Sequence, residues 1–333
     1  MMQAKDMNGL YAIIATPAKP GADRLDAVDT VDLDETARLI EALIRDGSSG
    51  LIVLGTTGEC ATLSEPDYEA FTACVIDTVK RRIPTFVGAT ADGGHQTARR
   101  LRRLRDLGAD GSLLGLPHWQ PVTVKMAVDY YADISRLFPD MAIMAYANAR
   151  AFRFPFPQEF WVGVSHNAPT VTSAKHSVVK GLPELIAATN ERINFVPSDM
   201  FVDQFHAIAP STTTACWATA AGMGPTPSVA LMKELKAGND TAVKELVAAI
   251  AWANAPIMPL VMNPEVFASY NIQLEKTRIN AAGYSTCGPT RPPYQDFPEE
   301  YAAPAREAGR RWAQICQAHG GGFATRPWEQ SAK

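Results

Sequence analysis

The chain has 333 residues, 47% of them apolar and 20% charged, with a formal net charge of −4. This is an ordinary globular profile with room for one large domain or two modest ones, and it lacks the basic excess of a nucleic-acid binder. Five cysteines, an odd number with no CxxC pair and no zinc-like spacing, fit a reducing cytoplasm better than a disulfide framework.

The start, MMQAKDMNGL, has no apolar stretch of the kind a secretory signal needs. No run of about 18 apolar residues suggests a membrane span. A cytoplasmic protein without membrane or nucleic-acid partners is therefore expected.

In chain order, short apolar runs recur at 11–17, 51–57, 85–90, 111–117, 142–148, 171–176, 193–199 and 213–219. Helical periodicity fills the gaps at 33–47, 64–82, 95–108, 123–138, 157–167, 181–190 and 201–209. Ser64 with Pro66 opens one helix, while Gly47 and Gly108 follow the ends of two others. The arginines of RRLRRLR (99–105) are expected on a broad solvated face around Leu101 and Leu104.

Strands that read as continuous apolar runs and alternate with helices imply a parallel sheet covered on its faces. Eight units in about 220 residues match a closed (β/α)8 TIM barrel, an α/β fold, better than an open doubly wound sheet. The open sheet stays as the alternative, weakened because no glycine-rich dinucleotide loop follows the first strand. The barrel is expected over residues 1–223. A C-terminal helical extension follows over 224–320, with helices at 227–239, 240–258 and about 299–318, and a flexible tail over 321–333.

In such a barrel the strand C-termini and the loops after them carry the chemistry. The second run ends in GTTGE, Gly55 to Glu59, where two hydroxyls and several backbone N–H groups can cradle a small carboxylate. A plain glycine turn explains the same residues. The fifth run ends in Tyr146-Ala147-Asn148 and the sixth in Lys175. The two lie 29 positions apart, about one β/α repeat, and should stand at similar height on neighbouring strands. A lysine in an apolar pocket loses its proton more easily and becomes an amine nucleophile toward carbonyls, and a phenol beside it can shuttle protons. The competing reading is a structural lysine that snorkels to water.

Three other patterns fail. HGGGF (319–323) has no nucleophile elbow to serve, and Ser177-x-x-Lys180 lacks its companion motifs. The six histidines show no metal-ligand spacing, so no metal is expected.

GTTGE, Tyr146-x-Asn148 and Lys175, each ending its strand, together resemble the class I aldolases of the dihydrodipicolinate synthase and N-acetylneuraminate lyase group. The YNxP motif usual there is YANAR here, a departure. The segments GTTGECATL, LGLPHWQ, AYANARAFRFPFPQEFW, YNIQLEKTRINAAG and CGPTRPPY are similar to the trans-o-substituted benzylidenepyruvate hydratase-aldolases of polycyclic aromatic hydrocarbon catabolism, naphthalene and phenanthrene degradation among them.

The resemblance implies an imine on Lys175, proton relay by Tyr146, and a pyruvyl carboxylate held by Thr56 and Thr57 beside Gly55. It further implies that Asn148, Trp119, Trp217 and Asn271 line the space for the aromatic ring and the added water. No cofactor beyond the covalent lysine imine is expected, the partners being the aromatic pyruvyl substrate and pyruvate, and the family suggests a homotetramer. His118 and Gln120 beside Trp119, His176 after the lysine and Arg150 after the Tyr-x-Asn element supply donors. They favour an ortho carboxylate over an ortho hydroxyl, although neighbours of an inward strand residue face outward. Two further readings remain: the same imine acting on an aliphatic or sugar-acid substrate, and a non-catalytic keto-acid sensor.

Overall fold

A computed structural model describes residues 1–320. All eight expected strands are present: β1 (Gly9–Ile13), β2 (Gly50–Val53), β3 (Thr85–Val87), β4 (Gly111–Leu114), β5 (Ala142–Tyr146), β6 (Val171–Lys175), β7 (Asn194–Val196) and β8 (Ala215–Ala218). Every pairing is parallel, in the order β7-β6-β5-β4-β3-β2-β1-β8. A parallel bridge between Ser198 and Trp217 brings the two ends of the sheet together, and Trp217 N donates to Pro197 O at 2.9 Å. The sheet is thus a nearly closed (β/α)8 barrel rather than an open one.

The helices are α1 (Leu33–Arg45), α2 (Glu65–Val79), α3 (Gly94–Leu107), α4 (Val124–Leu137), α5 (Ala149–Phe152), α6 (Gln158–Asn167), α7 (Leu182–Ala188), α8 (Val202–Ile208), α9 (Thr226–Ala237), α10 (Asp240–Asn254), α11 (Met258–Val261), α12 (Pro264–Ala282) and α13 (Glu299–Gly320). Local chemistry sets their ends. Ser64 accepts from Asp67 N at 3.2 Å to open α2, and Gly108, at φ 87°, closes α3 in the left-handed region that L side chains avoid.

Helix α9 packs on β1 and β8 and completes the eighth β/α unit, so the barrel's outer layer runs past residue 223. Leu231, Leu235, Leu246, Ile250 and Trp312 belong to the same buried core as the strands. The C-terminal helices therefore extend the barrel's core, and beyond it Ile257, Leu274, Ala305 and Ala308 form a small second cluster of their own.

Two expectations need correction. Helix α12 goes unread in the sequence because its inner face is charged: Gln273, Glu275, Lys276 and Arg278 are all buried. Those charges meet partners, Arg278 with Glu275 at 2.8 Å and Lys276 with Glu59 at 2.6 Å. With polar residues inside, no apolar period of 3.6 survives. Arg100 likewise leaves its expected solvated face. It is 6% exposed, stacked 4.1 Å over the Tyr68 ring and paired with Glu65 at 3.0 Å.

The expected tail at 321–333, with most of HGGGF, lies outside the described residues. Among the described residues no helix is long and apolar enough to cross a membrane.

Candidate active site

Tyr146 on β5 and Lys175 on β6 are direct register partners. Alternation along β6 sends Lys175 inward and His176 outward. His176 sits among the rings of Trp161, Phe195 and Phe205, on the helix side, with Nε2 3.1 Å from Val178 O. Burial pushes its pKa down to about 4. It is thus a neutral packing residue and takes no part in reading a substrate.

The Lys175 ammonium lies 3.5 Å from the centroid of the Trp217 ring and 4.9 Å from that of Tyr146. Burial lowers its pKa below the ordinary lysine value, while the nearby Tyr146 and Glu275 pull the other way. A cation over an indole face is stabilised electrostatically, so Trp217 holds the protonated lysine in place. The Trp217 indole is itself fixed by its Nε1–H, which donates to Val196 O at 3.1 Å.

The Tyr146 hydroxyl is 2.9 Å from Thr56 Oγ1 and accepts from Asn148 Nδ2 at 3.1 Å. Burial alone would raise the phenol's pKa. The Lys175 charge and the bonds from Thr56 and Asn148 outweigh it, and the net shift is downward. Asn148 does two things at once, since its Oδ1 also accepts from Ala151 N at 3.1 Å and caps α5. The departure from YNxP thus places a one-turn helix directly after the Tyr-x-Asn element.

Thr56 belongs to a tight turn in which Glu59 N donates to Thr56 O at 3.0 Å and Thr16 Oγ1 donates to Gly58 O at 2.7 Å. Gly58 is required there, because a Cβ would fall 2.7 Å from Leu54 N. Gly55 leaves room beside Tyr146, whose ring a Cβ would meet at 3.7 Å.

A cavity of about 410 Å³ opens from Tyr146, Gly55 and Thr56 and runs past Phe152 and Ile272 toward Thr90, Asp92, Arg100 and His118. Its volume suits a small aromatic guest. The Lys175 ammonium, 4.9 Å from the centroid of the Tyr146 ring, stands beside this cavity wall.

The other expected residues divide. His118 lines the cavity with Nε2 3.0 Å from Asp92 Oδ1. Thr57 is buried next to Thr56 but is not on the cavity wall. Asn271 sits on α12, just past the break at Tyr270, with its Oδ1 buried and unpartnered.

Trp119 is 79% exposed and outside the cavity, a correction to its expected place. The Arg153 guanidinium donates to the carbonyls of His118 and Trp119 and anchors the backbone there. Gln120 is exposed, and Arg150 is exposed with its guanidinium 4.7 Å over the Phe267 ring, so neither faces the cavity. Sequence reasoning missed Arg100, Asp92 and Glu275; only the run lengths between strands could have hinted that 90–100 returns to the barrel mouth. Among the described residues no cluster of three or more His, Cys, Asp or Glu is arranged to hold a metal ion.

A parallel barrel with a desolvated lysine at the end of one strand and a phenol level with it on the next is the layout of an amine-dependent aldolase. Residues 16–151 match the model of the dihydrodipicolinate synthetase family. The chain is 37% identical over 321 residues to the trans-O-hydroxybenzylidenepyruvate hydratase-aldolase of Pseudomonas putida, covering 94% of this chain and 95% of that one. It is 36% identical over 317 residues to the trans-2'-carboxybenzalpyruvate hydratase-aldolase of Nocardioides sp. (strain KP7), covering 94% and 95%. The solved structure of PhdJ bound to substrate intermediate superposes with a TM-score of 0.92 at 34% identity, covering 96% of this chain and 99% of that one. The chain belongs to the dihydrodipicolinate synthetase family, within its hydratase-aldolases, and is a carbon–carbon lyase.

Proposed function

We propose that the enzyme hydrates and cleaves an ortho-substituted trans-benzylidenepyruvate through an imine on Lys175. The observation that carries this is the register pairing of Tyr146 with Lys175, with Thr56 hydrogen-bonded to the phenol.

The neutral Lys175 amine attacks the ketone of the pyruvyl group, one proton is taken up and water leaves, forming the iminium. The iminium draws electrons through the conjugated alkene and makes the benzylic carbon electrophilic. Water adds there and loses a proton, while the adjacent carbon takes one. Removal of the new hydroxyl's proton then breaks the carbon–carbon bond toward the iminium, releasing an aromatic aldehyde and leaving an enamine. Protonation and hydrolysis of the enamine free pyruvate and regenerate the amine.

Tyr146 is the proton carrier at these steps, its downshifted pKa suiting it to both directions. Thr56, with the backbone of the Gly55–Thr57 turn, receives the pyruvyl carboxylate. Asn148 and the unpartnered Asn271 Oδ1 are the groups available to the added water. The iminium is itself the electron sink, so the scheme asks for no metal or organic cofactor.

The finer reading is an ortho carboxylate, with 2-carboxybenzaldehyde as product. Of the donors expected for it only His118 is on the cavity wall, because Gln120, Arg150 and His176 lie elsewhere, and Arg100 is a further basic group there. Each remaining donor already answers a carboxylate, Asp92 and Glu65 respectively. That pairing favours the second reading, a neutral ortho hydroxyl and salicylaldehyde. The relatives bearing the two substrate names are 37% and 36% identical to this chain, a difference too small to choose between them. Measuring kcat/KM side by side on the ortho-carboxy and ortho-hydroxy substrates decides between them, and turnover of neither would overturn both.

A further inference from the structure

We infer that Glu59 is a positioning residue that sets the Thr56–Tyr146 contact by tying the β2–α2 turn to the C-terminal segment. The inference rests on the proposed roles of Thr56 and Tyr146.

Glu59 lies on the cavity wall yet is 1% exposed, and its carboxylate is fully engaged by residues more than 200 positions away. Oε2 accepts from Lys276 Nζ and from Arg291 Nη1, each at 2.6 Å, and Oε1 accepts from Arg291 N at 2.8 Å. Lys276 is held in turn by Pro289 O at 2.7 Å. Arg291 spends its remaining donors on Thr30 Oγ1 at 2.7 Å and on the carbonyls of Thr30 and Pro17 at 3.2 and 3.3 Å. Asp67 closes the network by accepting from Thr30 N and Thr30 Oγ1 at 2.9 and 2.8 Å. Glu59 thus faces two cations and Asp67 joins them through Thr30, all buried and all hydrogen-bonded.

A buried ion pair is weak evidence for stability, since packed apolar residues can hold a fold as well. What apolar residues cannot do is fix a short turn in one orientation by directional bonds. Glu59 is the last residue of the Gly55–Glu59 turn, and its own N–H closes that turn on Thr56 O at 3.0 Å. The Thr56 hydroxyl on the same turn meets the Tyr146 phenol. On the other side, Lys276 stands one helical turn beyond Ile272, which also lines the cavity. One network therefore orients both a barrel loop and the α12 wall around the reacting groups.

The test is a double-mutant cycle of Glu59→Gln with Thr56→Val. The readout is the rate at which pyruvate and borohydride label Lys175, with circular dichroism checking the fold of each variant. Positioning through Thr56 predicts that Glu59→Gln slows labelling about tenfold in the parent and has little further effect in the Thr56→Val background. Independent multiplication of the two effects, or a parental rate in Glu59→Gln, overturns it. If Glu59→Gln does not fold, Glu59→Gln/Lys276→Met, which removes the stranded ammonium, takes its place under the same criteria. A parent enzyme that pyruvate does not label overturns the site reading itself and this inference with it, whereas a labelled parent with multiplicative variants overturns only the inference.

Discussion

Lys175 and Tyr146 face each other across one step of the β5–β6 ladder, and the ammonium rests on the indole of Trp217 at 3.5 Å. Lys175→Ala therefore leaves the barrel intact but removes the imine. Turnover should fall by at least about 10³-fold, as nucleophile loss does elsewhere, and mass spectrometry after pyruvate and borohydride should find no adduct. An adduct of unchanged mass on Lys175→Ala protein would refute the assignment of the nucleophile.

Burial moves the Lys175 pKa downward, so its proton leaves at a lower pH than that of a free lysine near 10.4. Labelling by pyruvate should rise with pH as the amine fraction grows, then level off below that ordinary value. A rate still climbing through the normal lysine range would contradict a desolvated amine. In Tyr146→Phe, which lacks the proton carrier, turnover should drop by about 10²- to 10⁴-fold while the fold is kept.

His118 is the donor on the cavity wall closest in kind to a reader of the ortho substituent. His118→Ala should lower kcat/KM for an ortho-carboxy substrate about tenfold relative to an ortho-hydroxy one, a loss expected for one charge-assisted hydrogen bond. Competition between the two substrates in one tube reads that ratio directly; an unchanged ratio would remove His118 from substrate selection.

His176 makes a prediction about stability and not about rate. Its folded pKa of about 4 lies below the unfolded value near 6.5, so between these limits the unfolded chain binds the extra proton. Stability from this group is complete above the unfolded pKa and is lost as pH falls through the window toward the folded one, by about 3 kcal/mol in all. His176→Phe should flatten that part of the pH–stability curve in denaturant titrations. An identical acid slope in the variant would show that another group is responsible.

The strands were legible because buried parallel strands read as unbroken apolar runs, and the 29-residue interval between Tyr146 and Lys175 is close to one β/α unit. Helix α12 was not, because the burial of Lys276 and Arg278 is decided by Glu59, Asn254 and Thr219 on remote segments that a local pattern cannot contain. Arg100 failed for a related reason: its place is set by Tyr68 and Glu65 on α2, and a run of arginines looks solvated until those partners are known. Of the donors expected at the ortho group, His176 was gathered by adjacency to a strand residue, and a strand puts such neighbours on opposite faces.

That last geometry has a practical side. Positions 175 and 176 are joined by a single peptide bond yet belong to different compartments, one beside the rings of Tyr146 and Trp217 and the other sealed in an aromatic cage of Trp161, Phe195 and Phe205. A library that randomises the cage should change heat and acid tolerance while sparing substrate choice, and one that randomises the cavity wall apart from the ion-paired Glu59 and Arg100 should do the reverse. The strand works as a partition, so robustness and selectivity can be evolved here in separate campaigns and then combined.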